Sequence, residues 1–435
     1  MSITLTSEQG RVMDIIDSTR EHVFVTGRAG TGKSTLLQEF VKGTRKSLVI
    51  AAPTGVAALA VGGQTIHSLF RIPVGLVTPQ TKMYPLTDDA RTLMRKIDTL
   101  VIDEVSMVRC DLLDAIDRRL RAVRGRRTDP FGGVQVVMFG DPYQLPPVLK
   151  EGVEKQWLVD NYPSPWFFDS KVWAEAGPRV VELTDVKRQD EAVFRDVLDR
   201  MRGGNMTSED GALLNEIGAR RPLPEEIITL SATNQTANEI NARALAALPG
   251  KAKIAKANID GDFGMQMPAE EQLELKPGAR VMFLRNDSGM DGSRWVNGSM
   301  GTVVKVDGMV HVDLDDVPGG DPVEVKPVVW EKIQYTYDPD KNVVDADVQA
   351  TFEQFPLRLA WAVTIHKSQG QTLDRAVLDF GRGAFADGQA YVAFSRIRTL
   401  DGLYLSRTLR PTDIRVDQRV VSFMRTAKDN DFLIE

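Results

Sequence analysis

A chain of 435 residues, 42% hydrophobic and 26% charged, is too long for one ordinary core, so two or three packed units are expected. With 54 Lys and Arg against 60 Asp and Glu, the net charge of −6 excludes whole-molecule attraction to nucleic acid and confines any such binding to a local groove. The single cysteine, Cys110, excludes an internal disulfide and a cysteine-rich zinc site. There is also no basic-then-apolar leader, and no apolar run near the roughly 18 residues that span a bilayer. A cytoplasmic, bacterial or phage-like location without membrane contact is therefore expected.

From His22 onward, short β-rich runs alternate with helical stretches, the pattern of a parallel sheet covered by helices. Strands are predicted at 22–26, 48–52, 100–103, 134–140 and 180–183. The third and fourth are apolar until a terminal Asp or Gly, as when both sheet faces are covered, which puts functional residues at their carboxyl ends. After Arg188 come helices over 190–202 and 208–217, a strand at 227–232 and a helix over 234–248, opening a second α/β unit. Alternating runs at 280–284, 301–306, 310–314 and 323–330, separated by Gly, Asp and Pro, predict a small β-barrel or sandwich inserted at 252–349. The α/β pattern resumes over 357–405. The expected division is thus 1–188, with an accessory segment near 71–96; 189–251 together with 350–435; and the insertion.

The most specific local signal is Gly27-Arg28-Ala29-Gly30-Thr31-Gly32-Lys33-Ser34, a full phosphate-binding loop between a predicted strand and a helix that continues through Thr35. Its glycines let backbone N–H groups and the helix N-terminus face phosphates, Lys33 reaches the outer phosphates, and Ser34 offers a hydroxyl to Mg²⁺. Further on, the apolar run 99–102 ends in Asp103-Glu104, one carboxylate suited to hold Mg²⁺ and the other to orient or deprotonate an attacking water. The next apolar strand leads into Gly140-Asp141-Pro142-Tyr143-Gln144, where the Gln144 amide is placed to sense a γ-phosphate; a proline-rich turn is the plainer reading. Near the start, Thr6 and Gln9 have the spacing of a capping box, which by itself only begins a helix.

In order and content these residues resemble a superfamily-1 helicase of the petite-integration-frequency (Pif-type) family, related to the Dda and RecD helicases. The resemblance extends over nearly the whole chain. It rests on 5–9, the phosphate loop, Ala51-Ala-Pro-Thr54, Thr65-Ile-His67-Ser68, Asp103-Glu-Val-Ser-Met107, Pro130-Phe-Gly-Gly133 leading into 140–147, Arg188-Gln189, 364–370 and 391–396. It implies α/β architecture with two RecA-like P-loop NTPase domains, an SH3-like inserted barrel, ATP with Mg²⁺, and 5′-to-3′ movement as a monomer on single-stranded DNA and at ss/ds junctions. It also implies that Gln9 reads adenine, that Arg188 and Arg396 reach the γ-phosphate as arginine fingers, and that Thr54, Thr65, His67, Thr364, His366 and Lys367 contact DNA.

Two of the four histidines occur in the same tripeptide, 65–67 and 364–366, once in each α/β unit. Thr hydroxyls, imidazoles and loop N–H groups are phosphate ligands that hold a strand without reading its sequence. Chance recurrence is the alternative. Phe70, Trp295 and Phe394 are candidates for stacking on bases, or for ordinary core packing. Arg118, Arg119, Arg121, Arg124, Arg126 and Arg127 either track phosphates or form a solvated helix face, with Asp111, Asp114 and Asp117 available to pair part of the charge. Competing functions are a strand translocase or nucleoprotein remodeller with weak unwinding, a non-catalytic DNA-binding module, and an RNA helicase.

Overall fold

Runs of β-branched and aliphatic residues form six strands in the first part of the chain: Val23–Gly27 (β1), Leu48–Ala52 (β2), Gln64–Thr65 (β3), Thr99–Ile102 (β4), Gln135–Phe139 (β5) and Arg179–Leu183 (β6). They pair all-parallel in the order β3-β2-β4-β5-β1-β6. β1, β4 and β5 are buried at every position, which is why their sequences run apolar instead of alternating. The coordinates come from a computed structural model that describes residues 5–28, 30–147, 149, 152–184, 192–220, 227–264, 267–287, 294–315, 317, 319–338, 343–369 and 372–429.

Successive side chains of β1 go to opposite faces. Val23 and Val25 join a core with Val12, Ile16, Leu36, Leu37 and Phe40, from the helices Ser7–Ser18 (α1) and Lys33–Gly43 (α2). Phe24 joins the other core, with Leu112, Leu113, Ile116 and Leu120 of a later helix and Phe167. Short helices Gly55–Ala60 (α3) and Ile66–Leu69 (α4) follow β2 and β3; Asp88–Lys96 (α5) and Cys110–Arg124 (α6) flank β4.

The chain forms two compact units, Met1–Lys187 with Glu331–Gln349 and Gln418–Glu435, and Arg188–Trp330 with Ala350–Asp417. This corrects the expectation that 350–435 lies wholly in the second domain. Helix Gln418–Asp429 carries Val420, Met424 and Ala427 at helical spacing, and these complete the core around Phe24. Phe423 stacks on Phe168 with ring centroids 4.0 Å apart, and Arg419 Nε donates to Asp169 Oδ2 at 2.8 Å.

In the second unit, strands Ala362–Thr364, Ile228–Ser231 (β7), Ala376–Asp379 and Leu403–Leu405 pair parallel in that order. The predicted insertion forms an antiparallel sheet, Val323–Val325, Val310–Leu314, Met300–Val306 and Arg280–Phe283 in order, closed over Val281, Phe283, Trp295, Val303 and Val312; its fifth strand, Leu357–Leu359, comes from beyond 349, where the α/β pattern was expected to resume. The run expected as one strand at 323–330 breaks at Lys326-Pro327, because proline has no amide for the ladder. Its second half begins a long strand, Val328–Asp338, which pairs with Val343–Gln354. No helix among the described residues is long and apolar enough to cross a membrane.

Candidate nucleotide site and phosphate grips

β1 ends at Gly27, whose φ is 147°; a Cβ there would come within 2.6 Å of the Leu183 carbonyl and 2.9 Å of Thr31 Oγ1, so only glycine fits. Gly30 and Gly32 are also left-handed, at φ 87° and 80°, and Gly32 turns the loop into α2. The first N–H groups of α2 are thereby gathered at the positive end of an 11-residue helix, the arrangement that attracts phosphate. Lys33 Nζ donates to the carbonyls of Gly27 (2.6 Å) and Arg28 (3.0 Å), spanning the mouth of the loop. Ser34 is exposed on the first turn of α2, with Thr35 half-buried behind it. Ala29 lies outside the described residues.

The capping box forms: Gln9 N–H donates to Thr6 Oγ1 at 3.2 Å, and Thr6 N–H to Gln9 Oε1 at 3.0 Å. Gln9 Nε2 also donates to the Thr31 carbonyl at 3.1 Å, and a Cβ on Gly32 would meet it at 2.4 Å. One buried side chain therefore caps α1 and braces the phosphate loop. A primary amide has two N–H groups, and the Thr31 carbonyl engages one of them.

At the tip of β4, the Asp103 N–H donates to Ala51 O at 2.9 Å. Glu104 is left-handed at φ 50°, ψ 42°, a conformation that costs a non-glycine residue about 1–2 kcal/mol and that folded structures tolerate mainly at functional sites. Burial, and then the neighbouring Glu104 charge, raise the Asp103 pKa well above the usual carboxylate range; a backbone hydrogen bond at Glu104 and the Lys33 ammonium pull the other way. Lys33 is thus within electrostatic reach of Asp103. Two crowded carboxyls beside a hydroxyl-bearing loop fit a hard dication that takes its remaining ligands from phosphate and water.

Beyond β5 the chain turns on buried Asp141, whose Oδ1 accepts from Tyr143 N–H at 3.2 Å and whose carbonyl accepts from Gln144 N–H at 3.0 Å. Gln144 is buried, with Nε2 3.4 Å from Asp141 Oδ2, so the proline-rich turn forms and fixes the amide expected to sense a phosphate. Arg188 lies outside the described residues. Arg396, the other expected finger, is buried, its Nε donating to Val392 O at 3.1 Å and a terminal nitrogen to Ser395 Oγ at 2.8 Å.

The repeated Thr-Ile-His string occupies the same structural position twice. Thr65 ends β3 and Thr364 ends Ala362–Thr364; each hydroxyl accepts the N–H three residues on, Ser68 at 3.2 Å and Lys367 at 3.3 Å. Ile66 and Ile365 are fully buried anchors. Burial lowers the pKa of both His67 and His366, and of Lys367. His67 Nδ1 lies 3.2 Å from the Ile72 carbonyl; since a carbonyl only accepts, Nδ1 carries the proton.

Strand register also supplies a residue that motif reading missed. Thr65 pairs with Ala52 and Thr54 stands two residues beyond Ala52; Thr364 pairs with Ser231 and Thr233 stands two residues beyond Ser231. Thr54 caps α3 by accepting Ala57 N–H, and Thr233 caps helix Asn234–Ala247 by accepting Thr236 N–H, both at 3.2 Å. Pro53-Thr54-Gly55 and Ala232-Thr233-Asn234 share only the threonine, so no string search joins them. The available signal was a hydroxyl cap immediately after an apolar strand.

A family model described as PIF1-like helicase matches residues 4–212. The ATP-dependent DNA helicase Pif1 of Bdellovibrio bacteriovorus is 33% identical over 97% of this chain and 92% of its own length. The chain belongs to the PIF1-like helicases. Human ATP-dependent DNA helicase PIF1 is 35% identical over 98% of this chain, which spans 64% of that longer protein. The crystal structure of Bacteroides sp Pif1 in complex with ADP-AlF4 superposes with a TM-score of 0.91 at 38% identity, covering 99% of both chains; that of Bacteroides Pif1 bound to ssDNA gives 0.71 at 38%, covering 99% and 98%.

Within this PIF1-like frame two open alternatives are decided. α6 extends through Arg124, and its arginines face inward to backbone: Arg119 donates to the carbonyls of Phe70 (3.0 Å), Arg71 (3.1 Å) and Tyr84 (2.9 Å), and Arg124 to those of Gly132, Met94, Arg95 and Ile97. Arg118 holds Thr78 O, and Arg121 pairs with Asp117 and Glu175. Arg118, Arg119 and Arg124 brace the segment from Phe70 to Ile97, where no hairpin forms, and of the six only Arg126 and Arg127 are exposed. Phe70, Trp295 and Phe394 are all buried in cores, the core-packing alternative of the two expected for them.

Proposed function

We propose that this PIF1-like protein is an ATP-dependent DNA helicase that moves 5′-to-3′ along single-stranded DNA and separates duplex. The observation that carries the reading is the equal register of Thr54, Thr65 and His67 with Thr233, Thr364 and His366, each set at the carboxyl edge of a parallel sheet. One such edge belongs to the unit with the phosphate loop, which couples a strand contact to a nucleotide site. Hydroxyl and loop N–H contacts of this kind grip phosphates and ignore sequence, as a motor on arbitrary DNA requires.

In this reading Lys33 exchanges the Gly27 and Arg28 carbonyls for the outer phosphates of ATP, while the N–H groups entering α2 hold the inner ones. Ser34 and Asp103 would hold Mg²⁺, which supplies charge neutralisation between the phosphates. Glu104, fixed in its left-handed conformation, orients the attacking water and takes its proton; Gln144 senses the terminal phosphate. The remaining Gln9 N–H meets adenine.

Two partial duplexes that differ only in carrying a 5′ or a 3′ single-stranded tail, with and without ATP and Mg²⁺, test the proposal. Unwinding of the 5′-tailed substrate alone, lost in Lys33→Ala, supports it. Unwinding from the 3′ tail alone overturns the polarity, and DNA-stimulated hydrolysis without any strand separation overturns duplex unwinding in favour of a translocase.

A further inference from the structure

Among the aromatic side chains whose exposure is described, two are more than half exposed, Tyr84 at 58% and Phe385 at 57%. Phe385 sits in the loop between strand Ala376–Asp379 and helix Gln389–Phe394. Its ring is in water while its backbone is fixed. Phe385 N–H donates to Oε1 of Gln389 at 3.0 Å, and Gln389, fully buried, donates through Nε2 to Ala232 O at 3.4 Å. One residue earlier, Ala384 N–H donates to Asp413 Oδ1 at 3.2 Å, and that buried carboxylate is held by two 2.8 Å bonds from Arg407. Two buried polar side chains thus pin successive residues of the loop, and an exposed phenyl forgoes the gain that burial brings.

The anchor point locates the ring. Ala232 immediately precedes Thr233, and its N–H donates to Asp379 O at 3.0 Å. Strand β7 lies between the strand that ends in Thr364 and the strand that ends in Asp379, and neighbouring strands are about 4.8 Å apart. Along one sheet edge the order is therefore Thr364 and His366, then Thr233, then the loop of Phe385. Candidate phosphate ligands stand at two strand ends, and an exposed aromatic lies in the loop that follows the third.

The structure assigns Phe385 as a base-stacking residue, its ring lying on the face of a nucleobase of the strand whose phosphates are held at Thr364, His366 and Thr233. This rests on the single-strand reading above. Any base serves, because every base offers a π-face. Stacking adds hold on the strand without adding sequence preference or a charge contact.

The test measures dissociation constants by fluorescence anisotropy for the wild type, Phe385→Ala and Phe385→Trp. Each is titrated with a single-stranded oligonucleotide and with an abasic oligonucleotide of the same length, over a range of salt. Phe385→Ala is expected to weaken binding to the ordinary strand about tenfold and to bind the abasic strand as the wild type does; Phe385→Trp restores the ordinary value. The slope of affinity against salt stays the same, since no phosphate contact is removed. Equal loss on both oligonucleotides, or no loss on either, overturns the stacking assignment while leaving the helicase reading intact. A wild type that binds neither strand overturns the helicase reading itself, and the stacking with it.

Discussion

His22 makes the first unit sensitive to mild acid. It precedes β1, and its Nδ1 accepts the Val136 N–H at 3.1 Å, so that nitrogen has to be bare in the folded protein. Its ring packs edge-on to Phe131, with centroids 5.4 Å apart. Burial pushes its pKa down from 6.5 to about 4. Between those values the unfolded chain binds a proton that the folded chain refuses, so the stability due to neutral His22 is complete above 6.5 and is lost as pH falls toward 4. A shift of that size removes about 2 kcal/mol between about pH 7.5 and about pH 5. Urea unfolding followed by tryptophan fluorescence at the two pH values, on the wild type and on His22→Asn, isolates the effect. The variant starts less stable and has the shallower pH dependence. Equal acid sensitivity in the two proteins would refute the assignment.

Lys33→Ala should abolish ATP hydrolysis in a phosphate-release assay while leaving the melting temperature near the wild-type value; retained turnover would remove Lys33 from the phosphates. Because His67 Nδ1 is engaged by Ile72 O, its Nε2 offers a proton to a phosphate only when the ring is charged. The affinity lost in His67→Ala should therefore be larger at about pH 6 than at about pH 8, and a pH-independent ratio would count against that contact. Lys367→Ala should instead lower the salt slope of DNA binding by about one, with an unchanged slope removing it from the phosphate path. Arg119→Gln leaves three carbonyls short of a donor, at a cost of about 1–3 kcal/mol, and should reduce unwinding more than DNA-stimulated hydrolysis; equal reductions would show that the Phe70–Tyr84 segment has no separate part in strand separation.

The strands were legible because burial writes itself into the pattern, as an unbroken apolar run at 48–52 and as alternation at 310–314, both matched to the residue; most others shift by a residue or so at an end, and 323–330 breaks at Pro327. The phosphate loop was legible because its chemistry is local. Properties that depend on residues distant in sequence were hidden. The arginines of α6 left a phosphate track and a solvated face equally open, because the carbonyls that bind them belong to segments some thirty to fifty residues earlier. Aromatic residues in the sequence carry no mark of exposure, so nothing in it separates the buried rings of Phe70, Trp295 and Phe394 from the exposed ring of Phe385. Thr233 became visible only through strand register, and Glu104 only through its backbone angle.

The helix Gln418–Asp429 has a consequence for how the protein is made. The nucleotide-binding sheet is synthesised first, yet the core beside Phe24 and Phe168 lacks Val420, Phe423 and Met424 until the whole second unit has left the ribosome. The first unit is begun earliest and completed late, and its apolar face stands open to chaperones throughout that interval. Neither unit corresponds to a continuous stretch of gene, so an evolutionary exchange of either one with another protein would need several simultaneous joins.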